Sequence, residues 1–310
     1  MKVYAHGFGF LRPLCEGAAE FVEDPAEAEI VLTMNNPGGT SHVIDEARHI
    51  ATQWGIPLCW WTCEDPNGYG AWVPQAKAAD FVFTSDKAML PHYRRDVGHG
   101  NVFWLPLAAN PEMHHPLPLA EDATDFVFSG NWYDNQWEAR RWGSEVLIRP
   151  LVAAGYSMTI YSYDSPASVG YTELEASWRG GTSCYTTCEQ YAHGRIVLGN
   201  NNQRTGLDGR PVTYMTSMRT FEVLACGKAF MAPQSDAYEA LGFVCGEHME
   251  WVDTPEAALL MAEWLLARPL EVEAMGRRGR AFVLAHHTYA HRLQRIARAL
   301  DGQADPEDWR

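Results

Sequence analysis

One short stretch ties this chain to a narrow class of folds. Residues 217–227 read Ser-Met-Arg-Thr-Phe-Glu-Val-Leu-Ala-Cys-Gly, and an apolar run, Ala-Phe-Met-Ala-Pro, follows at 229–233. Ser217 is a good helix N-cap, Met218, Phe221, Leu224 and Ala225 recur at helical spacing, and Gly227 is a stop signal. The run after it reads as a strand buried on both faces. A helix passing directly into such a strand is half of a parallel βαβ unit. Within the helix, Arg219 sits in the first turn and Glu222 lies among apolar neighbours. Buried charges are costly unless they hold each other or a ligand. A helix N-terminus with an arginine beside it suits an anion. The stretch therefore reads either as a holder of a nucleotide diphosphate or as a structural ion pair on an ordinary helix.

The same alternation runs through the rest of the chain. Strands are expected at 2–8, 28–34, 56–62, 81–84 and 102–107, with a helix to about 21 after the turn at 6–10 and another over 41–54. Gly7-x-Gly9 lacks a third glycine in register and reads as a plain turn. The segment 110–118, rich in proline and polar residues, marks a domain boundary. His114 and His115 within it read as solvated linker residues. The pattern restarts with strands at 125–129, 156–162, 195–199 and 229–233 and helices over 185–192, 255–267, 270–285 and 289–300. The expected division is a first domain over 1–113, a linker over 114–124, a second domain over 125–288, and a final helix with a loose acidic tail over 289–310. In parallel α/β sheets ligands sit at the carboxyl ends of strands. Those ends carry His6, Asn35, Glu64, Asp65 and Ser85 in the first half, and the Gly130-Asn131 turn and Asn200-Asn201-Asn202 in the second. Glu64, Asp65 and His6 are general-base candidates, although Asp65-Pro66-Asn67 also suits an ordinary turn.

Charge and composition narrow the function classes. A formal charge of -15 opposes a generic nucleic-acid or anionic-membrane binder, and Arg94-Arg95 is the one local basic spot in the first half. No run approaches the roughly 18 apolar residues of a membrane span. The first seven residues do not read as a signal peptide, and an odd count of seven cysteines suits a reducing cytoplasm. Cys59 and Cys63, four apart on a strand, would hold their sulfurs about 13 Å apart. Free thiols are the expectation there and for Cys184 and Cys188, and no metal site is expected.

With these residues in view, a family likeness emerges. Glu222-Val223-Leu224-Ala225-Cys226-Gly227-Lys228-Ala229 resembles the second half of the Glu-x7-Glu element of retaining GT-B glycosyltransferases. Arg219-x-Phe221-Glu222, Asp253, and His287-Thr288-Tyr289 with Arg292 resemble the group 1 glycosyltransferases of the CgeB (spore-maturation) type. Glu64-Asp65-Pro66, the run 79–86 and the run 104–111 are similar to that family as well. The resemblance implies an α/β GT-B fold: two Rossmann-like domains with parallel sheets facing a central cleft. It implies a cytoplasmic hexosyl- or N-acetylhexosaminyl-transferase that moves a sugar from a nucleoside-diphosphate sugar, UDP-linked first, to a carbohydrate or small-molecule hydroxyl, without a metal or other cofactor. The second domain would hold the donor: Glu222 on the ribose, Arg219, Ser217, Thr220, Gly130 and Asn131 around the diphosphate, Asn200 and Asn201 on sugar or base. The first domain would hold the acceptor, with Glu64, Asp65 or His6 as base.

One position departs from the pattern. Tyr214 stands eight residues before Glu222, where the first glutamate of the element belongs, so the resemblance leaves the stereochemical outcome open. Three alternatives accompany the transferase reading: a phage-type enzyme glycosylating a modified pyrimidine in DNA, a nucleotide-sugar isomerase on the same scaffold, and a non-catalytic two-domain sugar binder.

Overall fold

The computed structural model describes residues 1–35, 41–66, 68–132, 138–181, 183, 185–200, 204–205, 211–212 and 215–310. The chain forms two compact units, Met1–Ala108 with His287–Arg310, and Ala109–His286.

The first unit is built on six strands: β1 (Lys2–Ala5), β2 (Glu20–Phe21), β3 (Ile30–Met34), β4 (Leu58–Thr62), β5 (Phe81–Thr84) and β6 (Val102–Trp104), in the spatial order β2-β1-β3-β4-β5-β6. All pairings are parallel. Every residue of β3 and β4 is buried, as expected of central strands covered by helices on both faces. The turn after β1 is a plain one: Gly7 and Gly9 take φ of 59° and 47°, and a Cβ on Gly7 would meet Val43 Cγ1 at 2.0 Å. The helix expected to run to about residue 21 spans only Leu11–Leu14. It gives way to β2, a two-residue edge strand too short to leave a sequence pattern.

The second unit holds β7 (Thr124–Ser129), β8 (Met158–Tyr161), β9 (Gly194–Leu198), β10 (Arg204–Thr205), β11 (Pro211–Val212), β12 (Ala229–Pro233) and β13 (Glu250–Val252). Five of these make a parallel sheet in the order β13-β12-β9-β7-β8, while β10 and β11 pair antiparallel. Its core includes Phe126, Phe128, Trp132, Ile160, Ile196, Leu198 and Met231. After β8 the chain makes short 3-10 turns at Pro166–Val169 and Thr172–Ser177.

Two segments differ from the sequence expectation. The proline-rich segment is not a solvated linker. His114 is 1% exposed, its Nδ1 accepts from the Asn110 amide at 3.1 Å, and the Ala120 amide donates to the Ala192 carbonyl at 2.9 Å. It packs as part of the second unit, which begins at Ala109 rather than near 125. The C-terminal tail is not loose either. Its helix, Tyr289–Leu300, belongs to the first unit, where buried Arg292 donates to the carbonyls of Pro106 (2.8 Å) and Leu107 (3.0 Å) and to His287 Nδ1 (2.8 Å). Arg295 donates to the Arg310 carbonyl at 2.9 Å, and the Trp104 amide to the Pro306 carbonyl at 2.9 Å. A buried guanidinium without acceptors is expensive, so Arg292 and Arg295 recruit backbone carbonyls and order the chain around them. Among the described residues no helix is long and apolar enough to cross a membrane.

Both sheets share one topological property. In each, the first strand lies between the second and the third, the order of flavodoxin-like sheets. The connections leave in opposite directions on either side of that point and open a crevice at the strand ends. The crevices therefore lie at β1/β3 in the first unit and at β7/β9 in the second.

Candidate functional site

At the β7/β9 switch point, register brings the strand ends level: Phe128 pairs with Leu198, and Ser129 pairs with Tyr161 of β8. Gly130 and Gly199 follow directly. The Gly130 amide donates to the Tyr161 carbonyl at 2.8 Å, which turns the chain out of the sheet. A Cβ on Gly130 would stand 2.9 Å from Arg219 Nη1 and 3.0 Å from both Arg219 Cζ and Phe128 Cζ. The guanidinium thus lies directly on the bare Gly130 backbone, with its carbon 6.0 Å from the Phe128 ring centroid. Arg219 is half-buried, and its Nε is buried without a hydrogen-bond partner.

The helix that presents Arg219 is the expected one, Met218–Ala225, capped by Ser217, whose hydroxyl accepts from the Arg219 amide at 3.3 Å. Thr220 is buried and its hydroxyl pairs with that of Thr216 at 2.9 Å. That bond braces the helix start and leaves Thr220 little room for a ligand. Asn131 Oδ1 accepts from the Tyr163 amide at 3.2 Å, closing the turn after Gly130. Asn200 is 1% exposed, with Nδ2 3.4 Å from the Ser144 hydroxyl, and it fills the space a Cβ on Gly143 would need. Asn201 and Tyr214 lie outside the described residues. Gly130 and Ser217 thus meet Arg219, while Asn131 and Asn200 follow the ends of β7 and β9 and are engaged by Tyr163 and Ser144.

Glu222 is on the same helix but faces inward. It is 1% exposed, and its Oε2 accepts from the Tyr191 hydroxyl at 3.2 Å. Its Oε1 lies 3.7 Å from His114 Nε2, and neither of those two atoms has a hydrogen-bond partner. The Asn110 amide donates to His114 Nδ1, so Nε2 carries the proton and points at the carboxylate. The sequence offered no signal that His114 meets Glu222, because a His-His pair between prolines looks like linker.

In the first unit the three base candidates separate. His6 follows β1 at the β1/β3 switch point, is partly exposed, and holds Nε2 3.1 Å from Glu46 Oε2. That is the arrangement of an imidazole oriented by a carboxylate. Glu64 is half-buried beyond β4. Asp65 is 0% exposed, and both its oxygens are taken, by the Thr84 and Tyr93 hydroxyls (2.8 Å from Tyr93). Burial pushes its carboxyl up to about 6 against the pull of those hydrogen bonds. With no open face, Asp65 reads as a structural carboxylate and not as a base for an acceptor. Asp86, also 0% exposed, caps the Ala88 amide through Oδ1 at 2.8 Å and leaves Oδ2 buried and unbonded. Burial pushes it up to about 7, and nearby Asp65 adds to the shift.

Asp86 carries a pH prediction. Its folded pKa lies above the ordinary carboxylate value of about 3.9, so the folded chain holds a proton that the unfolded chain has released. Its contribution to stability is complete below about pH 4 and is lost as pH rises through about 7. Asp86→Asn keeps the cap and removes the titration. Urea unfolding at pH 5 and pH 8 should show a smaller loss of stability across that interval in the variant, by on the order of 1 kcal/mol or more. Equal losses in both proteins would refute the assignment.

Among the described residues no group of three or more His, Cys, Asp or Glu side chains is placed to hold a metal ion. No curated protein sequence matches the chain. Solved structures resemble it in fold. HepE of Anabaena, in complex with UDP and glucose, aligns at 13% identity with a TM-score of 0.60, covering 89% of this chain and 79% of that one. An alpha-glucosyltransferase in complex with UDP and a 13-mer DNA containing an HMU base aligns at 8% identity and 0.58, covering 96% and 90%. Sucrose-phosphate synthase of Thermosynechococcus elongatus aligns at 14% and 0.57, covering 89% and 75%. The two parallel-sheet units are those of the GT-B fold. The model of the glycosyl transferase-like family matches residues 121–298, which take in the β7/β9 crevice, the Arg219 helix and more than half of the sequence. On that match the chain belongs to the glycosyl transferase-like family.

Proposed function

We propose that the chain transfers a sugar from a nucleoside-diphosphate sugar, UDP-linked, to a hydroxyl acceptor, with the donor on the second unit. The observation that carries this reading is the Arg219 guanidinium seated on the Gly130 backbone at the N-terminus of the Met218–Ala225 helix. A cation, a helix dipole and a glycine turn converge at a switch point, which is the chemistry a diphosphate requires. Negative charge grows on that diphosphate as the glycosidic bond breaks, so stabilisation there lowers the barrier without a metal. Complexes of HepE with UDP and with UDP-glucose support the choice of nucleotide. In this reading the Asn131 turn and Asn200 shape the crevice wall. Glu222 faces inward, with Oε2 on the Tyr191 hydroxyl and Oε1 toward His114, so in this reading it braces the donor helix from behind and does not itself touch the ribose. The runs Arg219-x-Phe221-Glu222 and His287-Thr288-Tyr289 with Arg292 support a CgeB-like type within the family. On the acceptor side the His6–Glu46 pair is the best-placed base, ahead of Glu64.

The DNA-directed alternative draws support from the likeness to the alpha-glucosyltransferase in complex with DNA. The first unit's basic spot argues against it. Arg94 lies 3.4 Å from Glu307, and Arg95 lies 2.6 Å from Asp96, so both cations are already paired. A carbohydrate or small-molecule hydroxyl suits this surface better.

A thermal-shift panel of UDP, GDP, TDP and their sugars tests the donor. UDP and one UDP-sugar are expected to raise the melting midpoint. A ligand bound only by the native state adds about 2.7 kcal/mol at a hundredfold excess over its Kd. A flat response to every nucleotide would overturn the proposal.

A further inference from the structure

Two thiols behind the same helix form a pair that the transfer reaction does not use. Cys226 is the C-cap of the Met218–Ala225 helix, and Cys188 lies in the helix Thr187–Tyr191. Their Sγ atoms are 3.1 Å apart, and both residues are buried. A disulfide bond is about 2.05 Å long, so about 1 Å of approach separates contact from a covalent link.

The two sulfurs are not equivalent. Cys188 accepts from the His115 amide (3.3 Å) and donates its proton to the Met113 carbonyl (2.9 Å), which leaves Cys226 as the donor between the two sulfurs. Hydrogen bonds donated to a sulfur favour its thiolate. The bond from Cys226 and the His115 amide hold Cys188 below the usual thiol range, whereas that same bond and burial push Cys226 up. One sulfur is thus prepared as nucleophile and the other stands in contact to resolve it, the division of labour seen in redox-responsive cysteine pairs.

We propose that Cys188 and Cys226 are a modification site that closes to a reversible disulfide in the presence of hydrogen peroxide. The Cys188 thiolate attacks one peroxide oxygen. An S–O bond forms, the O–O bond breaks, and the departing hydroxide takes up the proton released by Cys188, leaving a sulfenic acid and water. Cys226 then attacks the sulfenic sulfur. The S–S bond forms, the S–O bond breaks, and hydroxide leaves as a second water with the Cys226 proton. Two thiols are oxidised by two electrons and one peroxide is reduced to two waters. A small-molecule dithiol reverses the change by exchange. Peroxide is small enough to reach a thiol that a bulkier disulfide oxidant could not. The link would join the C-terminus of the helix bearing Ser217, Arg219 and Glu222 to the neighbouring Thr187–Tyr191 helix, and would remove the Cys188 bond to Met113.

The test uses the full-length chain, peroxide and mass spectrometry, and does not depend on the donor. The peroxide dose is raised until exposed Cys245 is oxidised. The chain is then alkylated in denaturant and mapped. The expected result is a Cys188–Cys226 cross-linked peptide lighter by two hydrogens, ~2 Da, with the Cys188 and Cys226 thiols both lost to alkylation and both regained after dithiothreitol. Cys226→Ser should leave a sulfenic acid on Cys188 that a dimedone probe traps, and Cys188→Ser should leave Cys226 unoxidised. Oxidation of Cys245 without the cross-linked peptide would overturn the proposal, as would a cross-link joining Cys188 to a different cysteine.

Discussion

Arg219→Ala is expected to lower turnover of the nucleotide sugar by about 10²–10³-fold, equivalent to about 2.7–4 kcal/mol of transition-state stabilisation. The guanidinium rests on Gly130 and the Phe128 ring, and its Nε is buried without a hydrogen-bond partner. Among the described residues Arg219 forms no ion pair with a carboxylate, so its removal strands no charge, the fold should survive and the loss should be one of chemistry. Arg219→Lys restores a point charge but not the planar fork that grips two phosphate oxygens, and should recover only part of the rate. Steady-state kinetics with varied donor, beside a melting curve of each variant, decide the matter. An unchanged kcat/KM in the alanine variant would remove Arg219 from the donor site, and a collapsed melting midpoint would make it structural.

The largest effect on stability is expected from Gly276→Ala. Gly276 lies in the helix Pro269–His286, where a Cβ would stand 2.1 Å from the Gly227 carbonyl oxygen, 2.9 Å from the Gly227 carbonyl carbon and 3.2 Å from the Lys228 carbonyl carbon. Gly279, one turn on, has the same relation to the His248 carbonyl oxygen at 2.6 Å and to Leu224 Cδ2 at 2.8 Å. Gly276 lets the helix lie against the turn that joins the Arg219 helix to β12, and Gly279 lets it lie against His248, just before β13, and Leu224. In an isolated helix alanine would gain about 1 kcal/mol over glycine. Here the obstacle is backbone, which cannot rotate out of the way, and Gly227 is itself held at a φ of 70°. The net cost should be about 3 kcal/mol, at the upper end for overpacked sites. Urea unfolding measures it, and a variant as stable as the parent would show that the helix can shift at little cost.

The elements that were legible in the sequence are those with local causes. The runs at 30–34 and 58–62 could be read as strands because a strand covered on both faces carries apolar residues throughout, and both are buried from end to end. The Met218–Ala225 helix announced itself through its Ser217 cap and the positive-φ glycine after it. Edge strand β2 did not, since two residues at a sheet margin need no pattern. His114 was misread because its surroundings are set by Asn110 and Glu222 together, and only one of those is near it in sequence. Asp65 was nominated by its place after a strand, but the Thr84 and Tyr93 hydroxyls that close it off come from other elements.

The sequence by itself determined the class of fold, the positions of most strands and helices, and the residue types at the strand ends, because periodicity, capping and turn chemistry act over a few neighbours. Only the tertiary structure decided which strand ends lie side by side, since strand order depends on pairings between distant segments. That order put Gly130 beside Arg219, turned Glu222 inward toward His114 and Tyr191, and left His6 partly open while Asp65 was buried. Burial and electrostatics depend on every neighbour at once, so which of these side chains stay open and which are closed off is decided by packing.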